Sequence, residues 1–152
     1  MPISFKIKTK RISIDRYIQL DDYSCGPVSL YTVLHHHGSN VGMREVRKAC
    51  NLTTNGSWEK DLVKAARKLG FVCRYRKSSI SNIIEELDAG RPIICSRLDL
   101  PGYEEDGHWS VICDYTDKNL IMADPSVIAK SRISRKKSRW LLEDPLLCIR
   151  PR

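Results

Sequence analysis

The chain changes its apolar rhythm once, and that change constrains the fold more tightly than any composition. The first half carries the i, i+3, i+4, i+7 spacing of amphipathic helices. Pro27, Leu30, Tyr31 and Leu34 form one such set, ended by Gly38; Leu62, Ala65, Ala66 and Leu69 form a second, ended by Gly70; Ile80, Ile83, Ile84 and Leu87 form a third, ended by Gly90. Ser57 is placed to cap the second helix, with Glu59 and Asp61 in a first turn where acids suit the helix dipole. A shorter helix is expected over 43–50. The second half reads mainly as strands, at 71–76, 92–98, 108–115, 120–123 and 146–149, with 116–119 as a hairpin turn. The basic stretch "SRISRKKSRW" suggests one more short helix. Helices first and strands later argue for an α+β fold, with N-terminal helices packed on a C-terminal antiparallel sheet, rather than a doubly wound one.

At 152 residues the chain is expected to form a single domain, 1–152, large enough for its own core. No apolar run approaches the ~18 residues that a membrane span requires. The start, "MPISFKIKTKRISI", lacks the apolar segment and cleavage site of a secretory signal, so a cytoplasmic location is expected. The net charge of +8 is concentrated at the two ends: 1–20 hold five basic residues against one acid, and 126–152 hold eight against two. The stretch 21–125 is therefore slightly acidic. With no helix-turn-helix, zinc-finger or RNA-recognition pattern, the basic ends read as solvated faces and nucleic acid is not the expected partner.

The six cysteines include no Cys-x-x-Cys pair, and a chain of this length without a signal is no disulfide framework. No metal or other cofactor is expected. Cys73, Cys95, Cys113 and Cys148 fall in strand-like runs and read as small core hydrophobes. Cys25 differs. In "IQLDDYSCGPVSLYTVLHHHG" a polar turn delivers it to the start of a helix, where the helix dipole stabilises a thiolate. Gln19, six residues upstream, offers an amide that with the Cys25 backbone N–H would make an oxyanion hole. A nucleophilic thiol needs a base. His35, His36 and His37 are consecutive, so they point about 100° apart and cannot serve one site; they read as favourable charges at a helix C-terminus. His108 opens a strand after the loop "LPGYEEDG", whose acids Glu104, Glu105 and Asp106 would sit beside a cleft. Asp124, in "IMADPS", ends the next strand and can orient the imidazole.

The segments "QLDDYSCGPVSLYTVLHHHG", "GSWEKDLVKAARKLGF", "GRPIICSRLD" and "GHWSVICDYTDKNLIMADPS" together resemble the double-glycine leader (bacteriocin-processing) peptidases, a family of papain-like cysteine peptidases. The resemblance spans roughly residues 15–145. It implies Cys25 as nucleophile, His108 as base, Asp124 as orienting acid and Gln19 as oxyanion donor. It also implies a papain-like fold and a peptide or protein substrate, cut after a double-glycine-type site. Relatives that process leaders during export are often fused to a transporter with an ATPase. Here a separate export transporter is the corresponding partner. The alternatives are a catalytically silent peptide-binding module of the same fold and an acyltransferase using the same cysteine.

Overall fold

The computed structural model describes residues 3–152, apart from the side chains of residues 140, 143 and 144. Its elements are β1 (Ser4–Lys8), β2 (Ser13–Tyr17), α1 (Cys25–His36), α2 (Met43–Ala49), α3 (Glu59–Lys68), β3 (Phe71–Arg76), α4 (Ile80–Asp88), β4 (Ile93–Arg97), β5 (His108–Tyr115), β6 (Asn119–Met122), β7 (Arg132–Ser134), α5 (Ser138–Leu141) and β8 (Leu142–Pro151). Six strands form one antiparallel sheet in the order β3-β8-β4-β5-β6-β7. This is the α+β arrangement expected from the change in apolar rhythm.

The helix carrying Cys25 is more deeply set than its apolar stripe suggests. Every residue from Ser24 to Leu34 is buried, including Ser29 and Thr32, and the Thr32 hydroxyl is satisfied within the helix by the Val28 carbonyl (2.9 Å). A helix apolar on nearly all sides belongs inside a core, and α1 lies against β5, β2, β4, α2 and α3. By contrast α3 is amphipathic, burying Leu62, Val63, Ala65 and Ala66. Its N-cap is Trp58 rather than Ser57, because the Asp61 carboxylate reaches back to accept the Trp58 N–H (3.3 Å). The α4 cap is Ser79, whose hydroxyl accepts the Asn82 N–H (3.2 Å).

Three strand assignments differ from the sequence reading. The N-terminal residues form a two-stranded sheet of their own, β1–β2, in which Ile14 is buried, as is Ile12 in the turn before it. The basic segment begins as β7, because Ile133 pairs with Leu120 and is buried; only 138–141 is helical. β8 extends to both sides of 146–149 and lies between β3 and β4, burying all four of those residues on both faces. Cys73, Cys95, Cys113 and Cys148 are free, buried and within strands.

Sheet register positions the candidate residues His108 and Asp124. His108, first in β5, pairs with Arg97 at the end of β4, so both side chains leave the same face. The β5–β6 hairpin turns at 116–119, where the Thr116 N–H donates to the Asn119 carbonyl (2.8 Å). Ile112 then pairs with Met122, which brings Asp124 alongside the start of β5.

Candidate active site

The segment ahead of α1 is folded around Asp21. Its Oδ1 accepts the backbone N–H groups of Tyr23 (3.1 Å) and Ser24 (2.8 Å), and its Oδ2 faces Arg47 (3.4 Å). Burial works against the Asp21 charge, yet these bonds and the Arg47 charge hold its carboxyl below the usual range. The turn delivers Cys25 as the first residue of α1, buried, with a backbone N–H that has no preceding helical carbonyl to bond. Gly26 follows in a place where any side chain would be tight. A Cβ there would lie 3.1 Å from Ser57 Cβ, 3.2 Å from Leu62 Cδ2 and 3.2 Å from Trp109 Cδ1.

His108 is fully buried, and its Nε2 bonds Asp124 Oδ1 at 2.7 Å. Asp124 is equally buried. Its Oδ1 also accepts the Ser126 N–H (2.8 Å), while Oδ2 accepts the Ser110 hydroxyl (2.5 Å) and faces Arg97 Nη1 (3.1 Å). With Nε2 committed to the acid, the proton-accepting position of the ring is Nδ1. Nδ1 has no partner at full hydrogen-bonding distance among the described residues. The Cys25 thiol is its electrostatic neighbour. Burial pulls the His108 pKa down, but the hydrogen bond with Asp124, the looser polar contact with Cys25 and the negative charge of both outweigh it and raise the pKa to about 9. A thiol, an imidazole and a carboxylate thus stand together, the ring bonded to the carboxylate through Nε2 and acted on by the thiol. A loose thiol–imidazole contact is usual before substrate binds.

The peptidase C39 family model matches residues 14–142. The chain belongs to the peptidase C39 family. The peptidase domain of Streptococcus ComA, a bi-functional ABC transporter involved in quorum sensing, superposes with a TM-score of 0.76 and 26% identity, covering 89% of this chain and 96% of that one. A double glycine motif protease from an AMS/PCAT transporter, solved with its leader peptide, has a TM-score of 0.76 at 22% identity, covering 99% of each chain. Among curated proteins, an uncharacterized protein of Methanothermobacter marburgensis is 26% identical over 77% of this chain and 75% of its own length. The pediocin PA-1 transport/processing ATP-binding protein PedD of Pediococcus acidilactici is 26% identical over 78% of this chain. That match covers 16% of PedD, so the C39 chain corresponds to a small part of that protein. The family and fold are those of papain-like cysteine peptidases.

Of the four candidate residues singled out in the sequence, Cys25, His108 and Asp124 come together. Gln19 lies on the adjoining segment, where its Nε2 donates to the Asp21 carbonyl (2.6 Å) and its buried Oε1 has no hydrogen-bond partner among the described residues. The Asp21 carbonyl fixes which end of the amide faces it, leaving one Nε2–H uncommitted. Glu104, Glu105 and Asp106 are exposed, and only Asp106 lines the neighbouring cleft. That cleft, about 500 Å³, lies between the start of α3 and the β4–β5 loop, with Ser57, Trp58, Tyr103, Gly107 and Trp109 among its walls.

Four residues of this site escaped the sequence reading. Ser110 lies two places beyond His108, on the same face of β5, and strand alternation is the signal that could have found it. Arg97 is the one charge in the mostly apolar run "PIICSRL". Trp109 donates its indole N–H to the Ser57 carbonyl (3.0 Å), tying β5 to the start of α3. Tyr103 sits in the β4–β5 loop, its ring centroid 5.1 Å from that of His108, and its hydroxyl donates to the Asp22 carbonyl in the segment ahead of α1 (2.6 Å). The three consecutive histidines lie at the far end of α1. His35 Nε2 meets the Val41 carbonyl (2.8 Å) and His36 Nε2 the Gly90 carbonyl (3.0 Å); burial, helped by the His36 charge, pushes the His37 pKa down to about 4.

Proposed function

We propose that this chain hydrolyses a peptide bond in a leader-type peptide, after a double-glycine-type site, with Cys25 as nucleophile, His108 as general base and acid, and Asp124 as the orienting group. The observation that carries the reading is the buried row itself: a thiol at a helix N-terminus, an imidazole whose Nε2 is bonded to a buried carboxylate, and an Nδ1 left open toward the thiol. The Cys25 proton passes to His108 Nδ1, and the thiolate, favoured by the helix dipole, attacks the substrate carbonyl. The Cys25 backbone N–H and the uncommitted Gln19 Nε2–H donate to the resulting oxyanion. Each such donor is typically worth about 10²–10³ in rate. His108 returns the proton to the leaving amine, and a water deprotonated by the same ring then releases the acyl group from sulfur. Asp124 remains ionised throughout and fixes the ring so that Nδ1 keeps facing sulfur.

The relatives supply the substrate class: one is a double glycine motif protease bound to its leader peptide, and others are transport/processing proteins for pediocin and mesentericin. By the same analogy an export transporter is the fitting partner and the cytoplasm the fitting location. The test is digestion of a peptide library containing Gly-Gly leader sequences, with products read by mass spectrometry. Wild type should cut after a small-residue pair, and Cys25→Ala should lose cleavage while keeping its circular dichroism and melting temperature. Equal cleavage by the folded variant would refute the reading.

A further inference from the structure

Arg97 is 1% exposed and ends a strand whose earlier residues Ile93, Ile94 and Cys95 are wholly buried. Removing a guanidinium from water costs several kcal/mol unless its donors are matched, and here they are. Nε and Nη2 form a two-pronged bond to Asp99 (2.7 and 2.8 Å), while Nη1 donates to Asp124 Oδ2 (3.1 Å) and the Lys130 carbonyl (3.0 Å). A structural arginine could be neutralised by any acid. This one is paired in register with His108 and binds the carboxylate that His108 uses.

Taken in order, the side chains form a row of alternating charge: Asp99 negative, Arg97 positive, Asp124 negative, His108 positive when protonated, Cys25 negative as thiolate. We propose that Arg97 and Asp99 are positioning residues of this active site: Arg97 holds the ionised carboxylate of Asp124 by a charged hydrogen bond, and Asp99 cancels the guanidinium charge that would otherwise weaken the hold of Asp124 on the imidazolium. This rests on the assignment of Cys25, His108 and Asp124 proposed above. The groups acting on His108 are Asp124 beyond β6, Cys25 on α1 and the Tyr103 ring from the β4–β5 loop. Those acting on Arg97 are Asp99, Asp124 and its strand neighbour Cys95, and the Lys130 charge reaches Asp99.

Charge addition predicts opposite responses to two single changes. Asp99→Asn leaves Arg97 uncompensated and should lower the His108 titration midpoint. Arg97→Gln leaves two carboxylates behind the ring and should raise it. At short range in a protein interior each shift should be about one pH unit. In the double variant, Arg97→Gln with Asp99→Asn, one neutral pair replaces another and the midpoint should return to within about 0.3 unit of wild type, as expected for cancelling charges. The midpoint is read by NMR on imidazole-labelled protein, with His108 assigned by its loss in His108→Gln and folding checked by thermal melts. Either single variant suffices if the other does not fold, and a merely structural role would not give shifts of opposite sign. A folded single variant whose midpoint stays put, or moves the other way, overturns the proposal. The titration needs no substrate, so its failure removes the charge row alone. A His108 that titrates as described in a protein unable to cleave peptides would remove the peptidase reading instead.

Discussion

Gly26→Ala tests the packing at the helix mouth. The new methyl carbon would approach Ser57 Cβ to 3.1 Å and Leu62 Cδ2 and Trp109 Cδ1 to 3.2 Å, each short of ordinary van der Waals contact by a few tenths of an ångström. The three neighbours belong to the α3 approach, α3 itself and β5, so no single shift relieves all of them. Trp109 is further pinned by its indole bond to the Ser57 carbonyl. Overpacking a tight core typically costs about 1–3 kcal/mol. Alanine recovers part of glycine's roughly 1 kcal/mol helix penalty, and less than that in a first turn. The net expectation is a loss of about 1–2 kcal/mol, measured as the shift in urea unfolding free energy. Activity should fall further than stability. Trp109 is joined to His108 in sequence, Gly26 to Cys25, and a displacement near 1 Å in reacting groups can cost about 10²-fold in rate. Gly42→Ala is the control: that glycine caps α2 and an added Cβ would meet nothing within 4 Å, so it should cost under about 1 kcal/mol. If Gly26→Ala matches wild type in both stability and cleavage, close packing is not what requires glycine beside the thiol.

Asp124→Asn removes the hydrogen-bonded charge that raises His108. A histidine whose pKa is raised keeps its proton below that value and loses it as pH rises through it. Wild-type kcat/KM should therefore hold up to about pH 9 and then fall. In the variant, burial opposes a charge supported by Cys25 alone, so the alkaline limb should move to lower pH, with activity near neutrality down at least about 10²-fold from the lost orientation. An unshifted limb would mean that Asp124 does not tune the ring. Tyr103→Phe deletes the bond to the Asp22 carbonyl that ties the β4–β5 loop to the segment ahead of Cys25. Alkylation of Cys25 by a bulky maleimide should quicken severalfold, and unchanged alkylation would show that the tyrosine does not restrict access.

The two ends of the Cys25–His108 partnership were legible for different reasons. Cys25 stood out because its surroundings in the sequence are polar and turn-like while those of the strand cysteines are apolar, and burial of the latter within strands agrees. The expected hairpin brought His108 and Asp124 together because a two-strand turn leaves little freedom in register. What stayed hidden depends on side-chain reach. Nothing in "PIICSRL" says that Arg97 would turn inward rather than end its strand in solvent, since that depends on two aspartates, one nearby in sequence and one 27 residues on. Ser57 matched the composition of a cap but lost the position to Trp58, because the competing Asp61 contact lies one residue further along.

The basic N-terminus illustrates the same limit and changes what the net charge means. Read by composition, residues 1–20 are a solvated cationic face, and for Lys6, whose ion pair with Asp15 is exposed, that description holds. Arg11 instead spans to the main sheet, meeting Asp114 Oδ1 at 3.1 Å and lying 4.0 Å over the Tyr115 ring. Arg16 donates to the Asp124 and Ser126 carbonyls (2.5 and 2.6 Å), and the Gln19 N–H to the Pro125 carbonyl (2.8 Å). The backbone that carries Asp124 is thus gripped at three successive residues by the β1–β2 hairpin and the segment leading out of it. Some of the charge that composition assigns to a solvated face is internal wiring. The hairpin that sequence periodicity left unassigned holds the Asp124 backbone from behind, while Arg97 holds its carboxylate from the side.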